Sequence, residues 1–138
     1  MSSRTLYTRH PRGGTIVALV AVAAMAFDGC GGGGGGGKSL DQVQSCLSKA
    51  GLAPVSNTGG AGDPGFQGGV AVGVAGNPGR AYVFVYKTSK QAKVAASDQQ
   101  QIFGGTGGGS AKAKGNVVVT YSRAAPAAER SKVEGCAF

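Results

Sequence analysis

The sequence has little of the chemistry on which most enzymes depend. It contains no tryptophan, six acidic residues and a single histidine, His10, near its N-terminus. Because histidine is the commonest general base and a common metal ligand, its absence after residue 10 excludes Ser-His and Cys-His nucleophiles from the rest of the chain. Five acids follow residue 30, none with another at helical i+3 or i+4 spacing: Asp41, Asp63, Asp98, Glu129 and Glu134. We therefore expect no catalytic residue, no cofactor and no metal site.

The apolar runs are short and the charge is one-sided. The 138 residues include 14 lysines and arginines against six acids, a formal charge of +8, and 27 glycines. Apolar residues make up 41%, which is enough for one modest core in a single small domain. No run reaches the roughly 20 apolar residues that a membrane-spanning helix needs.

Residues 1–29 have the organisation of a secretory signal peptide. Three arginines and no acid occur in residues 2–14, and residues 15–27 form an uncharged, largely apolar run. A basic segment followed by about 7 to 15 apolar residues is typical of a signal peptide and too short for a stable spanning helix. An A-x-A site that ends at Ala26 favours ordinary cleavage and a freely secreted domain beginning at Phe27.

A second cleavage route uses Cys30. The sequence Phe27-Asp28-Gly29-Cys30 directly follows the apolar run and resembles the lipobox of bacterial prolipoproteins. In that family a small residue precedes a cysteine that receives a diacylglyceryl group and becomes the mature N-terminus. Gly29 matches this position, whereas Phe27 and Asp28 differ from the family's usual aliphatic and small residues. The resemblance implies a lipid anchor at Cys30.

The number of cysteines favours the lipid anchor. Cys30, Cys46 and Cys136 are an odd set, and an odd cysteine in an oxidising compartment needs a role. Acylation of Cys30 supplies that role and leaves Cys46 and Cys136 to form a disulfide, whereas the freely secreted chain would keep Cys30 as a free thiol. We therefore predict lipid attachment at Cys30 and a disulfide between Cys46 and Cys136.

A run of seven glycines, residues 31–37, follows Cys30 and is typical of a flexible tether. With Lys38 and Ser39, the run formally matches the phosphate-binding loop pattern G-x-x-x-x-G-K-[ST]. We do not favour this alternative, because a glycine homopolymer satisfies any glycine motif and neither strong later strand ends in an acid that would hold Mg²⁺. A nucleotide binder would need residues 15–39 in a folded core and would lose stability when Lys38 is changed.

Residues 39–138 predict one small α+β domain. Helices are indicated from the Ser39 cap to Gly51, over 89–103, and from Pro126 to about Cys136. Strands are indicated at 70–74, 81–87 and 116–121, with a further short strand at 52–56. The order is α-(β)-β-β-α-β-α, and a right-handed helical crossover should make 81–87 and 116–121 parallel neighbours. We expect a mixed sheet of three or four strands, helices mainly on one face, and one disulfide.

One surface feature offers a binding platform. Tyr82, Phe84 and Tyr86 alternate along a strand near a group of lysines: Lys87, Lys90 and Lys93. Aromatic side chains beside basic ones can stack nucleobases. Alternating aromatics more often pack beneath helices, so we interpret these as core and expect no nucleic-acid partner. We interpret the lysines as a solvated helix face that binds anionic headgroups or envelope polymers at most weakly.

A carboxylate-only enzyme is a further alternative, and it would show as a concave site with two of the five acids.

The layout of the whole chain resembles that of small lipoproteins of high-GC Gram-positive bacteria. It has a signal peptide, a cysteine, a glycine tether and a small domain with two further cysteines. The resemblance carries no catalytic residue. It implies a signal peptide at 1–29, a lipidated cysteine and tether at 30–38, and a binding or scaffolding domain at 39–138, anchored to the cell membrane outside the cytoplasm. The alternatives are the freely secreted domain and the nucleotide binder.

Overall fold

The computed structural model of the chain describes residues 37–105 and 107–138. Within them, helices and strands follow in the order α1 (Leu40–Lys49), β1 (Val55–Ser56), β2 (Phe66–Val74), β3 (Asn77–Tyr86), α2 (Ser89–Phe103), β4 (Ser110–Lys114), β5 (Val117–Tyr121) and α3 (Ala127–Ala137). None of these helices is long and apolar enough to cross a membrane. The predicted signal peptide, Cys30 and the first six residues of the glycine run lie outside the described residues.

The strands form one antiparallel sheet with the order β1-β2-β3-β5-β4. The predicted α+β class is confirmed. The sheet has five strands in place of the three or four expected, and it is antiparallel throughout, so the expected mixed sheet is wrong. One edge, β1, is the short strand predicted within 52–56, and the additional strand is the other edge, β4. The edge strand β1 is two residues long, and the edge strand β4 occupies a segment for which the sequence predicts no strand.

The predicted parallel pairing of β3 with β5 is wrong. The two strands are antiparallel neighbours, with Ala81 opposite Tyr121 and Val85 opposite Val117. The chain leaves α2 into β4, which runs in the same direction as β3 because both are antiparallel to β5. A turn at Gly115, whose φ is +58°, then returns β5 between β3 and β4. The strand-helix-strand crossover therefore exists, with β4 as its second strand.

The first two helices begin and end as their sequences predict. The Ser39 hydroxyl accepts a hydrogen bond from the Gln42 N–H, and the Gln42 side chain accepts one from the Ser39 N–H, which completes a capping box. Gly51 ends α1 in the left-handed region with a φ of +76°. Thr88 caps α2 by accepting from the Gln91 N–H, and its own hydroxyl donates to the Gln91 side chain.

Helices cover both faces of the sheet. On one face, Val43 and Leu47 of α1 and Val133 of α3 pack with the inward valines of β2, β3 and β5. On the other face, buried alanines of α2 pack with Phe84 and Tyr86 of β3. The alternation of side chains along β3 thus feeds two separate cores, two helices over one and a single helix over the other.

A disulfide and a hydrogen-bonded junction fix the N-terminal side of the domain. The predicted disulfide between Cys46 and Cys136 is confirmed and joins α1 to α3, with 5.4 Å between the Cα atoms. Nζ of Lys38 donates to the Cys136 carbonyl oxygen at 2.9 Å. The Asn116 side chain accepts from the Lys38 N–H and donates to the carbonyl oxygens of Lys38 and Tyr86, each at 3.0 Å. The end of the glycine run is therefore held against both the sheet and α3.

Candidate functional site

The sheet face beneath α2 is covered by a helix on one half and by a loop on the other. α2 packs mainly on β4 and β5, whereas loop 57–65 lies over the aromatic side chains of β2 and β3. The loop is fixed at both ends, since the Asn57 N–H donates to the Gly69 carbonyl at 2.9 Å and the Lys87 N–H donates to the Gly65 carbonyl at 2.8 Å. We call the space between α2 and loop 57–65 the α2 groove.

An aromatic row forms the floor of the α2 groove. Tyr82, Phe84 and Tyr86 alternate along β3 and point to the α2 face, as their spacing predicts. Phe66 of β2 packs against Phe84 and Tyr86, with ring centroids 6.1 and 6.0 Å away. Phe84 and Tyr86 are buried, which confirms their interpretation as core, while Tyr82 is half-buried and stacks on Phe103 of α2.

The groove contains two cavities. The cavity at the Tyr86 end has a volume of about 370 Å³, within the usual range for small-molecule sites, and we call it the acidic cleft. Its walls are the loop and the first three turns of α2, with these lining residues: Asp63, Pro64, Thr88, Lys90, Gln91, Val94, Ala95 and Asp98. The cavity at the Tyr82 end is neutral and measures about 290 Å³; aromatic and amide side chains line it, including Asn57, Gln99 and Phe103.

Asp63 is held in place at the edge of the acidic cleft. Its N–H donates to the Gly60 carbonyl at 2.9 Å, and its carbonyl accepts from the Phe66 N–H at 3.2 Å. Its Oδ2 accepts a 2.7 Å hydrogen bond from the hydroxyl of the buried Tyr86. Gly60 permits this arrangement, because a Cβ there would lie 2.7 Å from the Phe66 ring. The carboxylate position is therefore set by the loop backbone and the core together.

The second carboxylate of the cleft comes from α2. Asp98 is exposed, and its charge lies close enough to Tyr86 to affect the hydroxyl of that residue. Burial, the hydrogen bond to Asp63 and the charges of Asp63 and Asp98 all raise the pKa of Tyr86. Both charges that act on this hydroxyl are negative. With Asp63, Asp98 and Lys90 in its lining, the cleft carries a net negative charge within a strongly basic domain.

Neither carboxylate of the cleft belongs to an ion pair of the described residues. The ion pairs found there use the two glutamates of α3: Lys112–Glu134, Arg130–Glu134 and Lys132–Glu129. Lys90 also lines the cleft, but it is exposed and forms no ion pair with Asp63 or Asp98. Asp63 and Asp98 therefore remain available to a positively charged group.

The predicted site residues lie elsewhere. Cys46 and Cys136 form the disulfide described above, and Cys30 is outside the described residues. Lys38 and Ser39, the last two residues of the formal phosphate-loop pattern, have structural contacts: Lys38 binds the end of α3, and Ser39 caps α1. Among the residues described, no three metal-ligating side chains gather at one place.

Sequence reasoning missed the acidic cleft. Asp63 and Asp98 are 35 positions apart in sequence, one in a glycine-rich loop and one inside a helix, and neither has a motif around it. The sequence contains no signal that picks out these two residues. It predicts only that a carboxylate-only enzyme would have a concave site containing two of the five acids. That concave site, with two of the five acids, is present.

No protein-family model, no curated protein and no solved structure matches this chain.

Proposed function

We propose that this chain is a lipid-anchored, extracytoplasmic binding protein whose ligand site is the α2 groove. The observation that carries the proposal is the acidic cleft, about 370 Å³ in volume, with two carboxylates above a buried tyrosine that form no ion pair with any described residue. Small-molecule sites typically combine an apolar wall with a few fixed polar groups, and Pro64, Val94 and Ala95 supply that wall here.

The placement outside the cytoplasm is supported by the disulfide, because such bonds persist in oxidising compartments. In this proposal Cys30 carries the lipid and the glycine run connects it to Lys38, where the domain begins. Two or more acyl chains would hold the protein on the membrane without a spanning helix. The exposed side chains of Lys87, Lys90 and Lys93 add weak attraction to anionic headgroups or envelope polymers.

The anchor is tested by the intact mass of the protein recovered from the membrane fraction, before and after reduction. We expect a chain that begins at Cys30, carries diacylglyceryl mass and gains about two hydrogens when its disulfide is reduced. A chain that begins at Phe27 without lipid would overturn the anchor and leave a freely secreted domain. An uncleaved chain would favour the nucleotide-binding alternative that the phosphate-loop pattern suggests.

The binding site is tested by filling the mouth of the cleft. Val94 lines the cleft and is 58% exposed, so Val94→Trp should occupy the groove without disturbing the core. We expect the wild-type domain to bind members of a mixed fragment library with NMR shifts at α2 and loop 57–65, and Val94→Trp to lose them. Val55→Trp, at a valine that is 64% exposed on β1, is the matched control and should keep them. Shifts scattered over the surface, or equal in both variants, would contradict the proposal.

A carboxylate-only enzyme is the second candidate function, and the presence of Asp63 and Asp98 in one cleft favours it. A binding protein returns its ligand unchanged, whereas an enzyme does not. Mass spectrometry of bound fragments after prolonged incubation distinguishes the two, with the Asp98→Asn variant as control. We expect unchanged mass in both proteins; a product formed by the wild type alone would establish the enzyme.

A further inference from the structure

We infer that the ligand of the acidic cleft is an organic monocation: an amine joined to a small apolar body. The inference rests on the proposed binding function of the α2 groove and names the chemical class of its ligand. It depends on three features of the described residues, which are the sign of the charge in the cleft, the groups that hold this charge, and the apolar wall beside it.

The net charge of the cleft lining is negative, whereas the net charge of the domain is positive. From residue 30 on, the chain has eleven lysines and arginines and five acids, yet two of those five acids meet in this one cavity. The acids of α3 form ion pairs with nearby cations, whereas Asp63 and Asp98 form none with the described part of the chain. An amine between them would make the charge-assisted hydrogen bonds that the domain itself does not provide.

The cleft is suited to a single positive charge. Asp63, Asp98 and Lys90 together give its lining a formal charge of −1, which a monocation neutralises. Asp63 is also pre-organised, since the Tyr86 hydroxyl holds its Oδ2 while its Oδ1 accepts none of the hydrogen bonds found among the described residues. A fixed carboxylate binds a cation at a lower entropic cost than a mobile one.

The apolar wall of the cleft indicates the chemistry of the uncharged part of the ligand. Val94 and Ala95 lie on α2 and Pro64 lies opposite on the loop, so an amine in the cleft would place its carbon atoms between them. Val94 is 58% exposed in the protein, and a ligand that covers it would remove apolar surface from water. Charge complementarity and this wall together select an amine with a compact hydrocarbon body over a bare cation.

The test compares three probes of nearly equal size and shape: 2-phenylethylamine, 2-phenylethanol and phenylacetate. The sheet, both cores and the disulfide lie within residues 37–138, so the chain from residue 30 on with Cys30→Ser keeps every helix and strand that the structure describes. We expect 2-phenylethylamine to bind with a Kd on the order of 1 mM. The neutral alcohol should bind at least about fivefold more weakly, and phenylacetate more weakly still.

Aspartate variants identify the source of the selectivity. Asp98→Asn removes an exposed charge without disturbing packing and should weaken amine binding about fivefold. Asp63→Asn should weaken it about tenfold, and Asp41→Asn, on the first turn of α1 outside the cleft, should leave it unchanged. The alcohol should bind all four proteins equally, which separates loss of charge from loss of structure.

Two outcomes would overturn the inference. If the amine and the alcohol bind the groove equally, and Val94→Trp still removes both, the groove is a binding site and the choice of a cation is wrong. If the amine does not bind, or if Asp41→Asn weakens it as much as Asp98→Asn, the acidic cleft does not hold cations. Neither result changes the intact mass by which the lipid anchor is judged.

Discussion

Two buried tyrosines show how single side chains on opposite faces of the sheet meet different surroundings. Tyr86 donates to a carboxylate at the edge of a cavity. Tyr121 points to the other face, where it is 2% exposed and the Arg130 guanidinium lies 5.4 Å from its ring centroid. Burial and the charge of Glu134 raise the pKa of Tyr121 to about 12, and Arg130 opposes them in part. Both tyrosines therefore favour the protonated form in the folded chain.

This preference predicts how stability falls at alkaline pH. An unfolded tyrosine has an ordinary pKa of 10.0, so the unfolded chain loses the Tyr121 proton first. The contribution to the free energy of unfolding is complete below pH 10 and is lost as the pH rises toward 12. Between pH 10 and pH 12, we expect the free energy of unfolding to fall by about 2 kcal/mol less in Tyr121→Phe than in the wild type, as measured by urea unfolding. Tyr82→Phe controls for the loss of a hydroxyl, and parallel pH profiles for wild type and Tyr121→Phe would contradict the prediction.

At the scale of elements, the edge strand β4 shows where sequence patterns fail. Its sequence, SAKAK, has two lysines and no large apolar residue, and none of its side chains is fully buried. A strand that pairs on one side and packs against α2 on one face needs little apolar surface, so its alternation of alanine with lysine is too weakly apolar to mark a strand. Lysine on an edge strand also discourages pairing with a second molecule. The same composition therefore explains both why β4 was not predicted and why the edge of the sheet does not readily pair with a second molecule.

Replacing Lys114, the exposed lysine at the end of β4, should allow the edge of the sheet to pair with a second copy of the protein. Lys114→Val removes a charge and adds a β-branched side chain beside unpaired backbone groups. We expect this variant to remain folded and to self-associate as its concentration rises, measured by sedimentation velocity. Lys93→Val, at an exposed position of α2 and therefore outside the strands, is the matched control and should stay monomeric. Equal behaviour of the two variants would show that edge pairing is not the cause.

Other elements were predictable because their signals are local. The cap at Ser39, the glycine that ends α1 and the helix over 89–103 depend on residues within a few positions of one another. The order of strands depends on where a chain turns in space, and one unrecognised strand reversed the expected pairing of β3 with β5. The acidic cleft was unpredictable for the same reason, since Asp63 and Asp98 meet only through the packing of a loop against a helix.

At the scale of the molecule, the disulfide joins the first helix to the last. It closes a loop of 90 residues that contains every strand of the sheet. A crosslink of this span restricts the unfolded chain strongly, and net stabilities of small domains are about 5 to 15 kcal/mol. The bond is therefore expected to supply a large share of the stability of the fold.

The double variant Cys46→Ala and Cys136→Ala measures that share. We expect its free energy of unfolding to be lower by about 4 to 5 kcal/mol in urea. A reductant should shift the wild-type midpoint to that of the variant and leave the variant unchanged. An unaltered midpoint in the variant would mean that the two helices are held by packing alone.

The junction at Lys38 has a mechanical consequence. A pull on the glycine run reaches the domain at Lys38, which is bonded to the Asn116 side chain at the end of β3 and to the carbonyl of Cys136 on α3. Gly37 allows this close approach, because a Cβ there would lie 2.6 Å from the Asn116 side chain. These hydrogen bonds give a pull two paths, into the middle of the sheet and into a crosslinked helix, in addition to the covalent path through Ser39 into α1.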